Sequence, residues 1–245
     1  MSKLILIHSS GLGPSQWERY LSDFEQWHPV APTLLGYEDD GKAGEWSNFT
    51  IDDDVAVVAS EMDDEHNILL GHSYGGMVAL QTALQHPDKV DGLILFEPVA
   101  YGVIRESIED QAAVEETIEK FLEKGFENPK LWIETFLDYW NGDGAYKRME
   151  AEQKLPFLRN AAKIFAEVQY LMGDLTKAEA YAALEMPTLI IMGERTQMEM
   201  GYLCSRLAQV MPQAELVSIE DAGHMVPVTH FGKIAHHLFQ FFDRL

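Results

Sequence analysis

Six short apolar runs, separated by stretches of helical character, limit what this chain can fold into more than any other feature. They are Leu4–Ile7, His28–Ala31, Ile68–Leu70, Leu93–Phe96, Leu189–Met192 and Leu216–Ile219. Each is apolar throughout rather than alternating, which is the pattern of a strand covered on both faces. Between them, Pro14–Phe24, Thr50–Met62, Tyr74–Gln85, Glu199–Met211 and Thr229–Phe242 read as helices. Thr50 is placed to cap the second of these, with Asp52, Asp53 and Asp54 in a first turn whose dipole favours acids. Strands and helices that alternate in this way bury their apolar faces as a mostly parallel sheet with helices on both faces, joined by right-handed crossovers. The expected class is therefore α/β.

The alternation stops between Gly102 and Glu185, where no run reads as a strand. Ile104, Ile108, Ile118, Phe121 and Leu122 have helical spacing, ended by Gly125. Asn128-Pro129 is a cap followed by a proline in the first turn and opens a helix over Leu131–Trp140. Ile164, Phe165, Val168, Leu171 and Met172 form a further apolar stripe, and Thr176 is positioned to cap a last short helix before Pro187. The expected organisation is a first half of the sheet in residues 1–101, a helical insertion in 102–185 and the rest of the sheet in 186–245. An insertion at this point is expected to act as a lid over the carboxyl edge of the sheet, where open α/β sheets bind ligands.

Charge removes several partner classes. The 245 residues carry 18 Lys and Arg against 40 Asp and Glu, a formal net charge of −22. With no basic cluster longer than Lys147-Arg148, neither a nucleic acid nor an anionic membrane surface is an expected partner. No stretch approaches the roughly 20 apolar residues of a membrane span. The single cysteine, Cys204, excludes an internal disulfide framework and fits a reducing compartment, so a cytoplasmic location is expected. The sequence does not specify an oligomeric state.

Gly71-His72-Ser73-Tyr74-Gly75 carries the chemistry. It has the pattern Gly-x-Ser-x-Gly, follows the strand-like Asn67–Leu70 and opens a helix. A serine on such a turn is lifted off the sheet edge, and the flanking glycines let neighbouring backbone pass close. It also stands at a helix N-terminus, where free N–H groups favour developing negative charge. Serine at its ordinary pKa needs a base. Of the nine histidines, His224 is the best placed, following a strand and a glycine near the C-terminus. His236 and His237, adjacent on a helix, are expected to face different ways, and no clustered Cys/His set exists, so neither a metal nor a cofactor is expected.

With these residues the chain resembles the α/β-hydrolase superfamily over nearly its whole length. His8-Ser9-Ser10-Gly11-Leu12-Gly13 resembles the family's oxyanion loop, with Ser9 in place of glycine. Pro32-Thr33-Leu34-Leu35-Gly36 resembles its Pro-Asp-x-x-Gly turn, and Asp221-Ala222-Gly223-His224 its final Gly-His. Since the chain begins almost at the strand before the oxyanion loop, the first strands of longer relatives are expected to be absent. The resemblance implies an α/β-hydrolase fold, Ser73 as nucleophile, His224 as base, and an oxyanion hole from the backbone N–H groups of Ser10 and Tyr74. It also implies that His8 orients the oxyanion loop and that His72 supports the site from behind.

The acid departs from the family pattern. After Pro187–Gly193 the family places aspartate as Gly-x-x-Asp, and here Thr196 stands at that position. Threonine can take part in a hydrogen bond but cannot balance an imidazolium. Glu97, after Leu93–Phe96, resembles the arrangement of certain haloalkane dehalogenases, which take their acid from this strand. A glutamate behind four apolar residues is costly unless paired, and a histidine would pair it. Glu97 is the favoured acid, with Glu194, Glu199 or no acid as the alternatives.

The expected activity is hydrolysis of an ester, thioester or lactone of a small, largely uncharged substrate. The alternatives are C–C bond hydrolysis or a lyase reaction with the same residues, and a ligand-binding receptor without efficient catalysis. Ser9, Tyr139, Trp140 and Met225 are the expected substrate contacts. The aromatics of the insertion, among them Phe136, Tyr146, Phe157, Phe165 and Tyr170, suggest an apolar acyl pocket.

Overall fold

In a computed structural model, which describes residues 2–37, 46–105, 121–122 and 126–245, five strands form one parallel sheet. They are β1 (Lys3–Ile7), β2 (Asn67–His72), β3 (Val90–Phe96), β4 (Thr188–Gly193) and β5 (Ala214–Ile219), and they lie side by side in chain order. The main helices are α1 (Glu18–Asp23), α2 (Ile51–Glu61), α3 (Tyr74–Gln85), α4 (Pro129–Asn141), α5 (Ala151–Arg159), α6 (Ala161–Gly173), α7 (Met198–Val210) and α8 (Phe231–Phe242).

The sheet divides the interior into two cores. Ile5, Ile7, Leu69, Leu93, Leu95 and Ile190 face one side, which α2, α3, α7 and the helices between β3 and β4 cover. Leu4, Leu6, Ile68, Ile94, Leu189 and Ile191 face the other, against Trp17, Tyr20, Phe24 and α8. Adjacent residues of one strand enter opposite cores, which is why these runs are apolar at every position.

Local signals place several ends. Thr50 precedes α2, and its backbone N–H donates to the Asp53 carboxylate at 3.0 Å. Asn128 accepts from the Leu131 N–H at 3.2 Å and starts α4 at Pro129. Other expectations need correction. His28–Ala31 is not a strand: only Val30 bridges to β1, because His28 turns to φ 46° and Pro32 lacks an N–H. Pro14–Phe24 divides into a 3-10 turn over Pro14–Trp17 followed by α1, and α8 starts at Phe231 after a separate turn, Val226–Thr229. β5 is half exposed, with Glu215 and Ser218 open to solvent, as befits the edge of the sheet. Thr176 caps nothing: its hydroxyl donates to Asp174 at 2.6 Å, and the turn Ala178–Tyr181 begins after Lys177. The rings of His236 and His237 do not diverge but lie 3.7 Å apart. The spacing from Ile108 to Ile118 and the stop at Gly125 fall outside the described residues. No helix among the described residues is long and apolar enough to cross a membrane.

Because all five strands run the same way, the loops after β1, β2, β3, β4 and β5 emerge on one edge. In the chain, α4, α5 and α6 lie between β3 and β4.

Candidate active site

Ser73 occupies the turn between β2 and α3 with φ 55° and ψ −118°, a conformation unfavourable to any residue with a side chain. The flanking glycines make that turn possible. A Cβ on Gly71 would lie 2.2 Å from the Gly75 carbonyl oxygen, and one on Gly75 would lie 2.2 Å from that of Ile7. The Ser73 N–H donates to the Phe96 carbonyl at 2.9 Å, which ties the turn to the end of β3.

Glu97 follows directly on β3 and is likewise at positive φ, 45°. Its carboxylate is fully buried and accepts three hydrogen bonds. Oε1 receives the Gly193 N–H at 2.7 Å. Oε2 receives the Thr196 hydroxyl at 2.6 Å and lies 2.7 Å from His224 Nδ1. His224 Nε2 in turn lies 2.9 Å from Ser73 Oγ. The structure thus brings Ser73, His224 and Glu97 into one line. The other two carboxylates weighed from the sequence are elsewhere: Glu194 accepts from the Asp221 N–H, and Glu199 accepts from the Tyr139 hydroxyl. Thr196, at the position where aspartate was expected, becomes a donor to the carboxylate that reaches the histidine.

A neutral relay holds His224 from behind. The Ser9 N–H donates to Gln16 Oε1 at 2.9 Å, Gln16 Nε2 to His72 Nδ1 at 2.9 Å, and His72 Nε2 to the His224 carbonyl at 2.9 Å. Burial, and after it the neighbouring His224, push the His72 pKa well below the usual imidazole value, which fits this tautomer. His8 is lowered to about 4, mainly by burial. It donates from Nδ1 to the Ser9 carbonyl at 2.9 Å and accepts the Leu34 N–H at Nε2, 3.2 Å. One imidazole therefore joins the Ser9–Ser10 loop to the turn that follows Pro32.

Tyr74 is the first residue of α3, so its N–H has no intrahelical partner. The Ser10 side of the loop faces it, and both residues border the space above Ser73. Their side chains end on one buried ionic cluster. The Ser10 hydroxyl donates to Glu167 at 2.5 Å and the Tyr74 hydroxyl to Asp54 at 2.6 Å. Lys163 bridges the two carboxylates at 2.8 Å each. Asp54 and Glu167 are fully buried, and Lys163 is 1% exposed. Tyr37 donates to Glu167 and accepts the Gly11 N–H at 2.9 Å, and Asp54 accepts the Leu35 N–H at 2.8 Å. Burial raises the Glu167 carboxyl above its usual value, with Lys163 opposing.

A cavity of about 360 Å³ opens above Ser73. Ser9, Ser10, His224 and Met225 line its floor, and Phe136, Trp140 and Phe157 line its roof. Among the described residues, no Asp, Glu, Lys or Arg lines it. Trp140 stacks on the His224 ring, centroids 3.9 Å apart and planes at 25°. Tyr139 is not on this wall: its hydroxyl reaches Glu199 and its ring meets Trp140 edge-on. No group of three or more His, Cys, Asp or Glu among the described residues could hold a metal ion.

Sequence reasoning missed Gln16, Lys163 and Glu167. Only the last two left a local trace, as an i,i+4 pair of opposite charge on an otherwise apolar helix stripe. Gln16 is visible only once the loop after β1 is folded.

Comparison with known proteins agrees with this architecture. The chain is 26% identical to a 2-hydroxymuconate semialdehyde hydrolase from Pseudomonas sp. (strain CF600), covering 95% of this chain and 83% of that one. It is 22% identical to Lipase 1 of Psychrobacter immobilis, over 91% of this chain and 71% of that protein. The solved structure of MenH from S. aureus superimposes with a TM-score of 0.74 at 17% identity, covering 99% of this chain and 94% of the other, a likeness of fold. The family profile described as "Alpha/beta hydrolase family" matches residues 4–235. Because that match runs from the first strand into the last helix, and not over an isolated motif, this chain belongs to the alpha/beta hydrolase family and is a hydrolase.

Proposed function

We propose that the protein is a serine hydrolase that cleaves carboxylic esters of uncharged, apolar substrates through an acyl-enzyme. The observation that carries this reading is the unbroken line from Ser73 Oγ to His224 Nε2 (2.9 Å) and from His224 Nδ1 to Glu97 Oε2 (2.7 Å). It lies on the floor of a cavity whose wall, among the described residues, holds no Asp, Glu, Lys or Arg.

Ser73 Oγ attacks the ester carbonyl carbon while its proton passes to His224 Nε2. The carbonyl oxygen becomes an oxyanion held by the N–H groups of Ser10 and Tyr74, each worth roughly 3 kcal/mol in the transition state. Glu97 stabilises the imidazolium, and the Trp140 face stacked on the ring adds a cation–π attraction of about 1 kcal/mol. The C–O bond to the alcohol breaks as His224 returns the proton to the leaving oxygen. Water then repeats the sequence: its proton goes to His224, its oxygen to the acyl carbon, and Ser73 leaves with the proton, releasing the carboxylic acid. The helices α4 and α5, whose side chains line the cavity opposite Ser73, serve as its lid.

C–C hydrolysis, the alternative weighed from the sequence, would use the same residues; the Pseudomonas relative is named a 2-hydroxymuconate semialdehyde hydrolase. A substrate bearing carboxylates would need a cation, and the described residues of the cavity wall supply none, which favours neutral esters. A fluorophosphonate probe tests the nucleophile: stoichiometric labelling at Ser73 is expected and its absence in folded protein would reject the enzymatic reading. Turnover of neutral aryl and alkyl esters, weighed against a β-diketone, tests the bond. Faster cleavage of the diketone would transfer the assignment to C–C chemistry.

A further inference from the structure

Ser73 borders two unequal spaces. The large cavity, about 360 Å³, includes His224 and Met225 in its wall. The second, about 20 Å³, is lined among the described residues by Val99, Phe121, Val168, Leu171 and Met172, and His224 is not part of that lining. Ser10, Ser73, Phe136 and Trp140 line both spaces. Tyr74 lines only the small one.

This asymmetry assigns the two halves of an ester. The leaving oxygen must take its proton from His224 Nε2, so the alcohol has to leave through the space that His224 borders. The carbonyl oxygen points at the N–H groups of Ser10 and Tyr74, which turns the acyl chain to the side away from the histidine. That side is the small niche. A space of roughly 10–15 Å³ in the same measure holds one water, so 20 Å³ accommodates a methyl-sized group and little more. Its walls cannot recede easily: Val99 and Leu171 are packed core residues, 1% and 4% exposed.

We propose, building on the serine-hydrolase reading above, that the substrates are esters joining a short acyl group of acetyl size to a bulky, uncharged apolar alcohol. The niche behind the oxyanion N–H groups sets the acyl limit, and the aromatic chamber under α4 and α5 receives the alcohol. Of the aromatics that the sequence suggested for an acyl pocket, Phe136 and Phe157 line this chamber and thus serve the leaving group instead, whereas Phe165 packs on Phe126 and Trp132.

The test uses the full chain and two ester series. In the first, 2-naphthyl acetate, butyrate, hexanoate and octanoate are compared by kcat/KM. Acetate is expected to be best, with octanoate at least about 100-fold lower, since a single misfitting methylene is worth roughly 10-fold or more. A flat profile, or one rising with acyl length, overturns the proposal. In the second series the acyl group is held at acetyl and the alcohol varied from ethanol to benzyl alcohol and 2-naphthylmethanol, which differ little in basicity. A rise of about 10-fold or more with alcohol size is expected, and a fall overturns the proposal. Leu171→Ala and Val168→Ala enlarge the niche and should move the acyl optimum toward butyrate or hexanoate. An optimum that stays at acetate in both folded variants would place the acyl group elsewhere. Should either variant not fold, the two wild-type series still decide. The two readings fail differently: loss of Ser73 labelling with no ester turnover refutes the serine hydrolase, whereas brisk turnover with a long-acyl preference refutes only the short-acyl assignment.

Discussion

Two buried carboxylate clusters hold residues at the same cavity, and they differ in one respect that governs what each can do. Around Glu97 the single carboxylate meets two neutral donors, the Gly193 N–H and the Thr196 hydroxyl, and an imidazole that can change charge. The far nitrogen of that imidazole is aimed at a hydroxyl on the cavity floor. Around Lys163 two carboxylates share a permanent cation, and every remaining oxygen accepts from Tyr74, Tyr37, Ser10 or the Leu35 N–H. No group in the second cluster is left to exchange a proton with a ligand. It joins five chain segments: the Ser9–Gly11 loop, the turn at Leu35–Tyr37, α2, the start of α3 and α6. Buried ion pairs contribute little net stability over a well-packed apolar core, but removing one partner leaves an uncompensated charge. The contrast teaches that burial and charge alone do not mark a reactive site. An unsaturated, titratable end facing a cavity does.

Substitutions in the two clusters should separate along that line. Ser73→Ala has the largest expected effect, a loss of about 10⁴-fold or more in kcat with labelling abolished and the unfolding midpoint unchanged. Retained turnover would dissolve the distinction between the clusters. Glu97→Gln keeps the shape but removes the charge that balances His224, and about a 10³- to 10⁴-fold fall in kcat is expected at nearly constant KM. Lys163→Met should act on the other axis. It leaves Asp54 and Glu167 buried without their cation, and urea unfolding should show a loss of about 3–5 kcal/mol. A Lys163→Met protein as stable as wild type would show that the cluster is not a fastener. Thr196→Val removes one hydrogen bond to a charged acceptor, worth about 1.5–3 kcal/mol. The expected fall in kcat is roughly 10- to 100-fold, and an unchanged rate would leave Thr196 as packing only.

The smallest expected effect is in the pH dependence of stability. His8 is lowered to about 4 and His72 well below its usual value, so between about 4 and 6.5 these two histidines bind more protons in the unfolded chain than in the folded one. Stability should then rise with pH across that window and be lost as pH falls through it. Glu167, raised by burial, opposes this above the ordinary carboxylate value, since there the folded state is the one that keeps its proton. Unfolding midpoints from pH 4 to 7 check the sign. His8→Gln should flatten the slope and Glu167→Gln steepen it, and a reversal of either shift would contradict these assignments.

How much was legible follows from how local each feature is. The turn at Ser73 could be read because strand, glycines, serine and helix are consecutive, and backbone sterics alone require that order. Asn128-Pro129 and Thr50 were legible for the same reason, since each cap acts within three residues. His28–Ala31 misled because its apolar character reflects burial, whereas pairing beyond Val30 depends on the φ of His28 and the missing N–H of Pro32. Tyr139 and Trp140 are neighbours of similar character, yet one faces Glu199 and the other covers His224. Helical rotation decides between them, and composition carries no trace of it.

The sequence by itself determined the alternating strands and helices, the strained serine turn, the shortlist of carboxylates and the strongly acidic net charge. These depend on interactions within a few residues or on sums over the chain. Only the tertiary structure decided that Glu97 meets His224, that Thr196 supports that carboxylate instead of replacing it, that Lys163 bridges Asp54 across 109 positions, and that the space around Ser73 is divided unequally. Each of these needs side chains from separate crossovers to arrive at one edge of a parallel sheet. Distances between crossovers are set by packing of the whole core, which no short stretch of sequence encodes.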